Sequence, residues 1–232
     1  MADNNILTIP KKTAVRAYSP KQVVAKKRVI YDFTDKWLDS FGKPEKCAKW
    51  IVWGQSFSGK SSLTFQICNY LCEFGRIDYN SIEEGNTQTV ADKIIKHGLH
   101  DKDGKFRILD RVPVDDMMSR LKRRNSAEFA VIDSIQHSRM NKETYLKMAD
   151  TIKNKSLLFV SHAKGLNPSG DLAVHIRYDV DIKIHTVGFV AHVDSRYGGG
   201  KPFIIWEEEA KKYWGKKYGL VRDGKYWPGL KK

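Results

Sequence analysis

The sequence has few cysteines, no long apolar run and no internal repeat. Cys47, Cys68 and Cys72 form no C-x-x-C pair, which argues against a disulfide framework, and the four-residue spacing of the last two predicts helix packing in the core. No apolar stretch approaches the roughly 20 residues of a transmembrane helix, and the N-terminus lacks a signal-peptide apolar segment. We therefore expect a protein of the reduced cytoplasm with no membrane partner.

The composition favours one folded domain with basic ends. A chain of 232 residues that is 41% hydrophobic is suited to one α/β domain with extensions. The net charge of +14 is concentrated at the ends, because residues 1–43 and residues 201–232 each carry nine Lys or Arg against four acids. Basic ends favour a nucleic-acid partner over a surface that only aids solubility. We divide the chain into a basic arm (1–32), a core (33–209) and a basic aromatic tail (210–232).

Strand and helix patterns alternate from residue 50 to residue 162. WIVWG, RIDYNSI, KFRILD, EFAVIDS and SLLFVSH have strand character, and helix-period segments lie between them. This alternation predicts an α/β fold with a mostly parallel central sheet and helices on both faces. DVDIKIHTVGFVAHVDSR and KPFIIWEEE show β patterning without intervening helices, so we expect antiparallel strands at the C-terminal side.

The stretch GQSFSGKSS has the spacing G-x-x-x-x-G-K-S between a predicted strand and a predicted helix. In such a loop the glycines let backbone N–H groups point at phosphate oxygens, and the helix N-terminus adds a favourable field. Lys60 is placed to reach the β- and γ-phosphates, and the Ser61 hydroxyl is a suitable Mg²⁺ ligand. We therefore predict that a nucleoside triphosphate is bound by Gly54, Gln55, Ser56, Phe57, Ser58, Gly59, Lys60, Ser61 and Ser62.

Polar residues follow three other predicted strands and are candidates for metal binding and catalysis. Asp133 ends a buried strand, as does the carboxylate that holds the Mg²⁺ hydration shell in P-loop proteins. Glu83 and Glu84 follow the second strand, and Glu83 is the first choice for the base that activates water, with Glu84 left open. His162 ends the last parallel strand, where it is either a γ-phosphate sensor or a strand-end residue without a ligand.

The order of these motifs resembles that of the RecA-like ATPases, and within them the RadA/KaiC branch. YNSIEEG is similar to the Y-x-S-x-E-E-S of that branch, and FAVIDSIQ is similar to its Walker B segment V-V-I-D-S-I-Q. VSHAKG is similar to V-G-H-V-T-K, and SRYGGG is similar to K-N-R-F-G. The resemblance covers about residues 45–207 and is much more specific than any single motif.

The resemblance implies a RecA-like P-loop fold, the cofactors ATP and Mg²⁺, and a homo-oligomer with nucleotide at the subunit interface. It places the catalytic glutamate at Glu83, the sensor at His162 and a trans-acting arginine at Arg196. The lysine of K-N-R-F-G falls on Asp194, so the trans-acting cations reduce to Arg196. We expect no four-cysteine zinc module before the core and no protease-like domain after it. Such a core-only protein resembles the RecA-like proteins of phages and mobile elements. We therefore expect it in a bacterial cytoplasm or a phage-infected host.

Two segments are candidates for DNA contact. The resemblance places the loop KGLNPSGD at the DNA, and it offers Lys164, Asn167 and Ser169 as donors to phosphates. The tail interleaves cations with aromatic rings, as single-strand binders do, and its candidate lysines are Lys211, Lys212, Lys216 and Lys217. A C-terminal helix that packs its rings on the core and turns its lysines outward is at least as consistent with this pattern.

The leading hypothesis is a Mg²⁺-dependent ATPase that assembles on DNA, with single-stranded DNA favoured, in recombination, annealing or repair. A nucleotide-gated loader or adaptor for a replication or transposition machine is an alternative that the residues leave open. A P-loop kinase is a third hypothesis, and it requires an arginine-rich lid, for which LKRRN (121–125) is the only candidate.

Overall fold

A nine-stranded sheet forms the centre of the computed structural model, which describes residues 17–229. The start of the predicted arm (1–16) and the end of the tail (230–232) lie outside the described residues. The strands are β1 Lys49–Gly54, β2 Ile77–Ser81, β3 Phe106–Asp110, β4 Phe129–Asp133, β5 Ser156–Lys164, β6 Asn167–Pro168, β7 Ile182–Val187, β8 Val190–Ser195 and β9 Phe203–Ile204. Their spatial order is β3-β2-β4-β5-β1-β7-β8-β9, and β6 pairs with β5 alone.

The sheet is parallel from β3 to β7 and antiparallel beyond it. All pairings among β3, β2, β4, β5, β1 and β7 are parallel, whereas β7–β8 and β8–β9 are antiparallel. The predicted α/β fold, with a mostly parallel sheet and antiparallel strands at the C-terminal side, is therefore confirmed. The β6 pairing with β5 is a further antiparallel contact that the sequence patterns did not predict.

Helices cover both faces of this sheet. Among the described residues they are α1 Pro20–Ala25, α2 Asp35–Phe41, α3 Lys60–Leu71, α4 Gln88–Lys96, α5 Val114–Leu121, α6 Lys142–Thr151, α7 Asp171–Asp179, α8 Glu207–Trp214 and α9 Tyr218–Arg222. Because side chains alternate along a strand, Trp50 and Val52 of β1 pack in the cluster with α2, α3 and α4, whereas Ile51 and Trp53 pack with α5, α6 and α7. Cys68 and Cys72 are buried in the first cluster and are not disulfide-bonded, as expected.

The segment KPFIIWEEE differs from its prediction. Only Phe203–Ile204 forms a strand, and the helix α8 begins at Glu207. The three glutamates occupy the first turn of α8, where their negative charge is favourable at the positive end of the helix. The acids therefore start a helix and do not extend the sheet.

Side chains from both predicted extensions pack into the protein. Tyr31 is buried in the same cluster as α3, with its ring 5.1 Å from that of Phe129. In the tail, Tyr218, Val221 and Trp227 are buried against Val190 of β8. The core therefore includes residues that precede position 33 and residues that follow position 209.

Near the N-terminal ends of β2 and β3, a buried carboxylate lies between two arginines. Asp78 is fully buried, and its two oxygens accept hydrogen bonds of 2.8 Å from Arg107 Nε and Arg120 Nε. The arginines come from β3 and α5, so this network joins an edge strand and a helix to the interior strand β2. The negative charge of Asp78 therefore compensates the positive charges of both guanidinium groups.

We expect Asp78→Ala to lower the free energy of unfolding by about 3 kcal/mol, because it leaves two partly buried guanidinium groups without their counter-charge. Urea denaturation measures this change. Asp32→Ala is the matched control, since Asp32 pairs with Lys43 at the surface and its loss should change stability by no more than about 0.5 kcal/mol. Equal stability losses in the two variants would contradict a structural role for the Asp78 network.

Candidate functional site

The carboxyl ends of β1, β2, β4 and β5 lie side by side at one edge of the sheet. Gly54 at the end of β1 is level with His162 of β5, and Ser81 at the end of β2 is level with Asp133 of β4. Glu83 follows β2 by two residues, and its backbone N–H donates to the Asp133 carbonyl over 3.1 Å. The residues predicted for metal binding and catalysis within one chain therefore meet at the same edge as the phosphate loop.

The phosphate loop turns sharply from β1 into α3. Gly59 precedes the helix with φ of 93°, a conformation that favours glycine, and α3 starts at Lys60. The loop is tied to the β7–β8 hairpin, because Ser58 Oγ lies 2.7 Å from Thr186 Oγ1 and the Phe189 N–H donates to the Ser58 carbonyl over 3.0 Å. Ser58 is thus a buried structural contact of the loop.

Other residues of the predicted loop face the surface. Gln55, Ser56 and Phe57 are exposed, and the Phe57 side chain is almost entirely in solvent. Ser61 and Ser62 lie in the first turn of α3, where the backbone N–H groups at a helix start have no partner inside the helix. This arrangement is suited to a phosphate group.

Asp133 is held at the end of β4 by a tyrosine from the neighbouring strand. The Tyr79 hydroxyl donates a hydrogen bond to Asp133 Oδ2. Burial raises the pKa of Asp133, although this hydrogen bond and the Lys60 charge act in the opposite direction. A carboxylate and the Ser61 hydroxyl are hard oxygen donors, so this pair fits Mg²⁺ in kind.

Glu83 faces two histidines at the same edge. Its Oε2 atom lies 3.1 Å from His162 Nε2 and 3.5 Å from His137 Nδ1. Partial burial acts to raise the pKa of Glu83, but a hydrogen bond from Ser134 and the charges of the two histidines and Lys60 lower it below the usual value. Glu83 is therefore an ionised acceptor near the loop lysine at neutral pH.

The neighbouring acid has other partners. Glu84 forms an ion pair with Lys93 of α4 and accepts a hydrogen bond of 2.7 Å from Thr89 Oγ1. Partial burial opposes its ionisation, but these two contacts lower the pKa of Glu84. Because its carboxylate is used to bind α4, the geometry favours Glu83 over Glu84 as the candidate base.

Three residues that support the site were not assigned roles from the sequence. Gln136 bridges β4 and β5, because its Nε2 donates to Ser161 Oγ over 2.9 Å and its Oε1 accepts from the His162 N–H over 3.2 Å. Tyr79 and His137 are the other two, and each contacts a carboxylate at the edge. Tyr79 and Gln136 stand within the quoted motifs YNSIEEG and FAVIDSIQ, whereas no sequence signal singles out His137.

The predicted DNA loop is a tight hairpin. β5 extends to Lys164 and pairs with Asn167–Pro168, so only Gly165 and Leu166 form the turn. Asn167 Oδ1 accepts a hydrogen bond from Arg177, and the Ser169 N–H donates to the His162 carbonyl over 2.8 Å. Of the three predicted donors in this segment, Lys164 and Asn167 are exposed, whereas Ser169 is partly buried.

The tail forms helices that pack on the β7–β8 hairpin. Trp214 Nε1 donates to the Gly188 carbonyl over 3.0 Å. Lys211 and Lys212 form ion pairs of 2.8 and 2.6 Å with Glu207 and Glu209. Two further lysines, Lys216 and Lys217, are exposed without an acidic partner among residues 17–229. The packed-helix alternative thus describes this segment better than an extended binding strand.

Two arginine-containing segments lie at the edge opposite the phosphate loop. Arg196 follows β8, whose end is level with Ile182 at the start of β7, and it pairs with Asp181 at 3.0 Å. It is therefore too far to reach the nucleotide loop of its own chain. The LKRRN segment is also at this edge, because the Arg76 guanidinium just before β2 donates to the Asn125 carbonyl over 3.0 Å. That position excludes it as a lid over the loop.

Comparison with known proteins gives a likeness of fold. No protein-family model matches the sequence, and no curated protein matches it significantly. Among solved structures, a KaiC-like protein from the archaeon Pyrococcus horikoshii OT3 is similar over 66% of this chain and 79% of its own, with 19% identity and a TM-score of 0.49. An ATPase from the type III secretion system of pathogenic bacteria is similar over 80% of this chain and 64% of its own, with 13% identity and a TM-score of 0.49. The function is therefore argued from the site itself.

Across residues 17–229 no helix combines the length and the apolar character that crossing a membrane requires.

We expect Gly54→Ala to destabilise the protein, because a Cβ there would lie 2.0 Å from Thr186 Oγ1 and 2.4 Å from Ser58 Oγ. Such overpacking costs about 1–3 kcal/mol, and each kcal/mol lowers the melting temperature by roughly 2–4 °C in a chain of this size. Thermal unfolding measures the change. Gly219→Ala is the control, since its Cβ would meet no atom within 4 Å, and a melting temperature lowered equally in both variants would contradict the close contact.

Proposed function

We propose that this protein is a Mg²⁺-dependent ATPase of the RecA-like type. The observation that supports this most directly is the convergence of Glu83, Asp133 and His162 on the sheet edge that carries the phosphate loop. The positive charge of Lys60 acts on both carboxylates there, because it favours a lower pKa for Glu83 and for Asp133. Phosphate transfer to water requires a positive group that binds the phosphates, a carboxylate that holds the metal and a second carboxylate that activates a water molecule.

Each residue has a distinct role in this proposal. Bound ATP and Mg²⁺ would supply the γ-phosphoryl group and the neutralisation of its charge. Lys60 and the N–H groups of residues 54–62 would hold the phosphates, and Ser61 and Asp133 would hold the Mg²⁺. Glu83 accepts the proton of the attacking water, and its lowered pKa keeps it ionised for this task at neutral pH. His162, which contacts Glu83 at 3.1 Å, senses the γ-phosphate.

We further propose that the protein assembles on DNA, with single-stranded DNA preferred. The two segments considered for DNA contact lie side by side, because Leu166 at the hairpin turn lies against Gly229, where a Cβ would be 2.1 Å from Leu166 Cδ1. Lys164 in the hairpin and Lys216 and Lys217 in the tail have exposed side chains that can serve as cations for phosphates. Asn167, Ser169, Lys211 and Lys212 are secondary contacts, because Asn167 Oδ1, the Ser169 N–H and both lysine ammonium groups already bind partners within the chain.

We propose assembly because Arg196 lies too far from the phosphate loop of its own chain to contact a nucleotide bound there. It stands on the edge opposite the phosphate loop with a largely exposed side chain. In a homo-oligomer, release from Asp181 would let it reach the triphosphate of a neighbouring copy, where an arginine stabilises charge in the transition state. We propose that such an assembly acts in recombination, annealing or repair.

We expect Glu83→Gln to reduce ATP turnover by about 10²–10⁴-fold, which is the usual contribution of a general base. Nucleotide affinity should remain, since the amide keeps the volume of the carboxyl group and does not belong to the phosphate loop. Steady-state phosphate release measures turnover, and a fluorescent ATP analogue measures binding. Glu84→Gln is the matched control and should retain most of its turnover, because that acid binds Lys93 and Thr89.

Two results would contradict the ATPase proposal. The first is equal turnover in Glu83→Gln and in the parent protein. The second concerns Lys60→Ala, which removes the cation that binds the β- and γ-phosphates. Nucleotide affinity equal to that of the parent would show that the loop does not hold a triphosphate.

We expect single-stranded DNA to raise turnover and to bind with an affinity that falls steeply with salt. For single strands, log affinity falls with log salt by about 0.7 per phosphate contact. Lys216→Ala/Lys217→Ala should reduce the slope by about 1.4, the value for two contacts. Fluorescence anisotropy of a labelled oligonucleotide measures the slope across a salt series.

The control for that experiment is Lys211→Ala/Lys212→Ala, which removes the same charge from lysines that are neutralised by Glu207 and Glu209. Its slope should change less than that of the first double variant. Identical slopes in both variants would show that the contact is diffuse and not centred on the exposed pair. Turnover that is indifferent to DNA and to protein concentration would overturn the assembly proposal.

A further inference from the structure

Glu83, His137 and His162 form a cluster of metal-ligating groups beside the phosphate loop. One ligand atom from each, namely Glu83 Oε2, His137 Nδ1 and His162 Nε2, lies within 4.8 Å of the others. The three come from separate elements, because Glu83 follows β2, His137 belongs to the short 3₁₀ helix Ile135–His137 after β4, and His162 belongs to β5. The sheet edge thus brings together residues that are distant in sequence.

The spacing of these atoms is close to that of a tetrahedral metal site. Ligands at roughly 2.0–2.1 Å from a zinc ion are separated from one another by about 3.3–3.4 Å. Glu83 Oε2 lies 3.1 Å from His162 Nε2 and 3.5 Å from His137 Nδ1, so two of the three separations already match. The third can close through His137, whose side chain is half exposed.

The donor types select the metal. Two imidazoles with one carboxylate are a common ligand set for Zn²⁺ and related first-row ions, whereas Mg²⁺ prefers oxygen ligands and keeps several waters. The cluster shares no residue with the proposed Mg²⁺ ligands Ser61 and Asp133. The two sites would therefore take different ions at neighbouring positions.

The buried Ser134 contacts one ligand atom of the cluster. Its Oγ lies 2.9 Å from His137 Nδ1, the same atom that would bind the metal. The serine hydroxyl therefore holds the His137 ring beside Glu83 in the metal-free protein, and a metal bound at Nδ1 replaces this contact. The hydrolytic role of Glu83 and the sensing role of His162 do not involve His137, so the convergence of all three groups calls for a separate explanation.

We propose that Glu83, His137 and His162 form a binding site for Zn²⁺ or a similar borderline divalent ion, and that its occupation removes Glu83 from catalysis. A carboxylate that coordinates a metal through Oε2 cannot accept a proton from water at that atom. The inhibitory half of this proposal rests on the proposed ATPase function. The binding half rests only on the geometry of the three ligands.

Cobalt is the probe for binding, because Co²⁺ in a tetrahedral site with nitrogen and oxygen ligands gives visible ligand-field bands. Titration of the full chain with Co²⁺ should produce these bands, and Zn²⁺ should abolish them by displacement. His137→Ala should weaken binding at least tenfold, since it removes one of three protein ligands. His100→Ala is the matched control, because His100 is an exposed histidine that pairs with Asp101, and it should bind as the parent does.

Equal Co²⁺ affinity in the parent and in His137→Ala would overturn the proposed site, as would an absence of ligand-field bands in the parent. Circular dichroism of His137→Ala verifies its folding, and His137→Asn provides a second variant of smaller volume change. This arm requires no ATP hydrolysis, so it decides the binding half even if the protein has no turnover.

The second arm measures ATP turnover at fixed Mg²⁺ with increasing Zn²⁺, each variant relative to its own zinc-free rate. Inhibition of the parent and of His100→Ala should appear at Zn²⁺ concentrations at least tenfold below those that inhibit His137→Ala. Identical inhibition curves for the parent and His137→Ala would overturn the regulatory half. ATP turnover without zinc tests the ATPase proposal, and Co²⁺ binding tests the metal site. A failure of this inference can therefore be told apart from a failure of the ATPase proposal.

Discussion

The hydrogen-bond register of the parallel strands is the constraint on which the site depends. Gly54 at the end of β1 is level with His162 of β5, and the last residues of β2 and β4, Ser81 and Asp133, are level with each other. A shift of one residue would exchange the two faces of a strand and move its polar end away from the edge. The buried apolar faces on both sides of β1 make such a shift costly, so the two hydrophobic clusters that fix the register also fix the positions of Asp133, Glu83 and His162.

The polar residues at this edge are held by side-chain hydrogen bonds and an ion pair. Tyr79 binds the Asp133 carboxylate, Lys93 binds Glu84, and Gln136 ties the end of β4 to the end of β5. Each contact removes rotational freedom from a side chain that would otherwise be mobile at a strand end. Preorganised groups of this kind cost less to align when a ligand binds.

The sequence was most informative where local patterns and the fold agree. Strand and helix alternation and the spacing around Lys60 were sufficient to predict the parallel sheet and the loop that precedes α3. Two features were not accessible because they depend on tertiary contacts: the β5–β6 hairpin and the position of His137 beside Glu83. The helix start at Glu207 was missed although its signal is local. In KPFIIWEEE the local β pattern ended at the acids, whose charge favours a helix N-terminus.

The attachment of the phosphate loop to the C-terminal segment has a mechanical consequence. The Ser58 carbonyl accepts the Phe189 N–H, and the adjacent Gly188 carbonyl accepts the Trp214 indole N–H. Two hydrogen bonds at adjacent residues thus connect the backbone of the phosphate loop, through the β7–β8 hairpin, to the first helix of the tail. A displacement of Ser58 must either lengthen these hydrogen bonds or move the hairpin and α8 with it, so the position of the loop is coupled to that of α8.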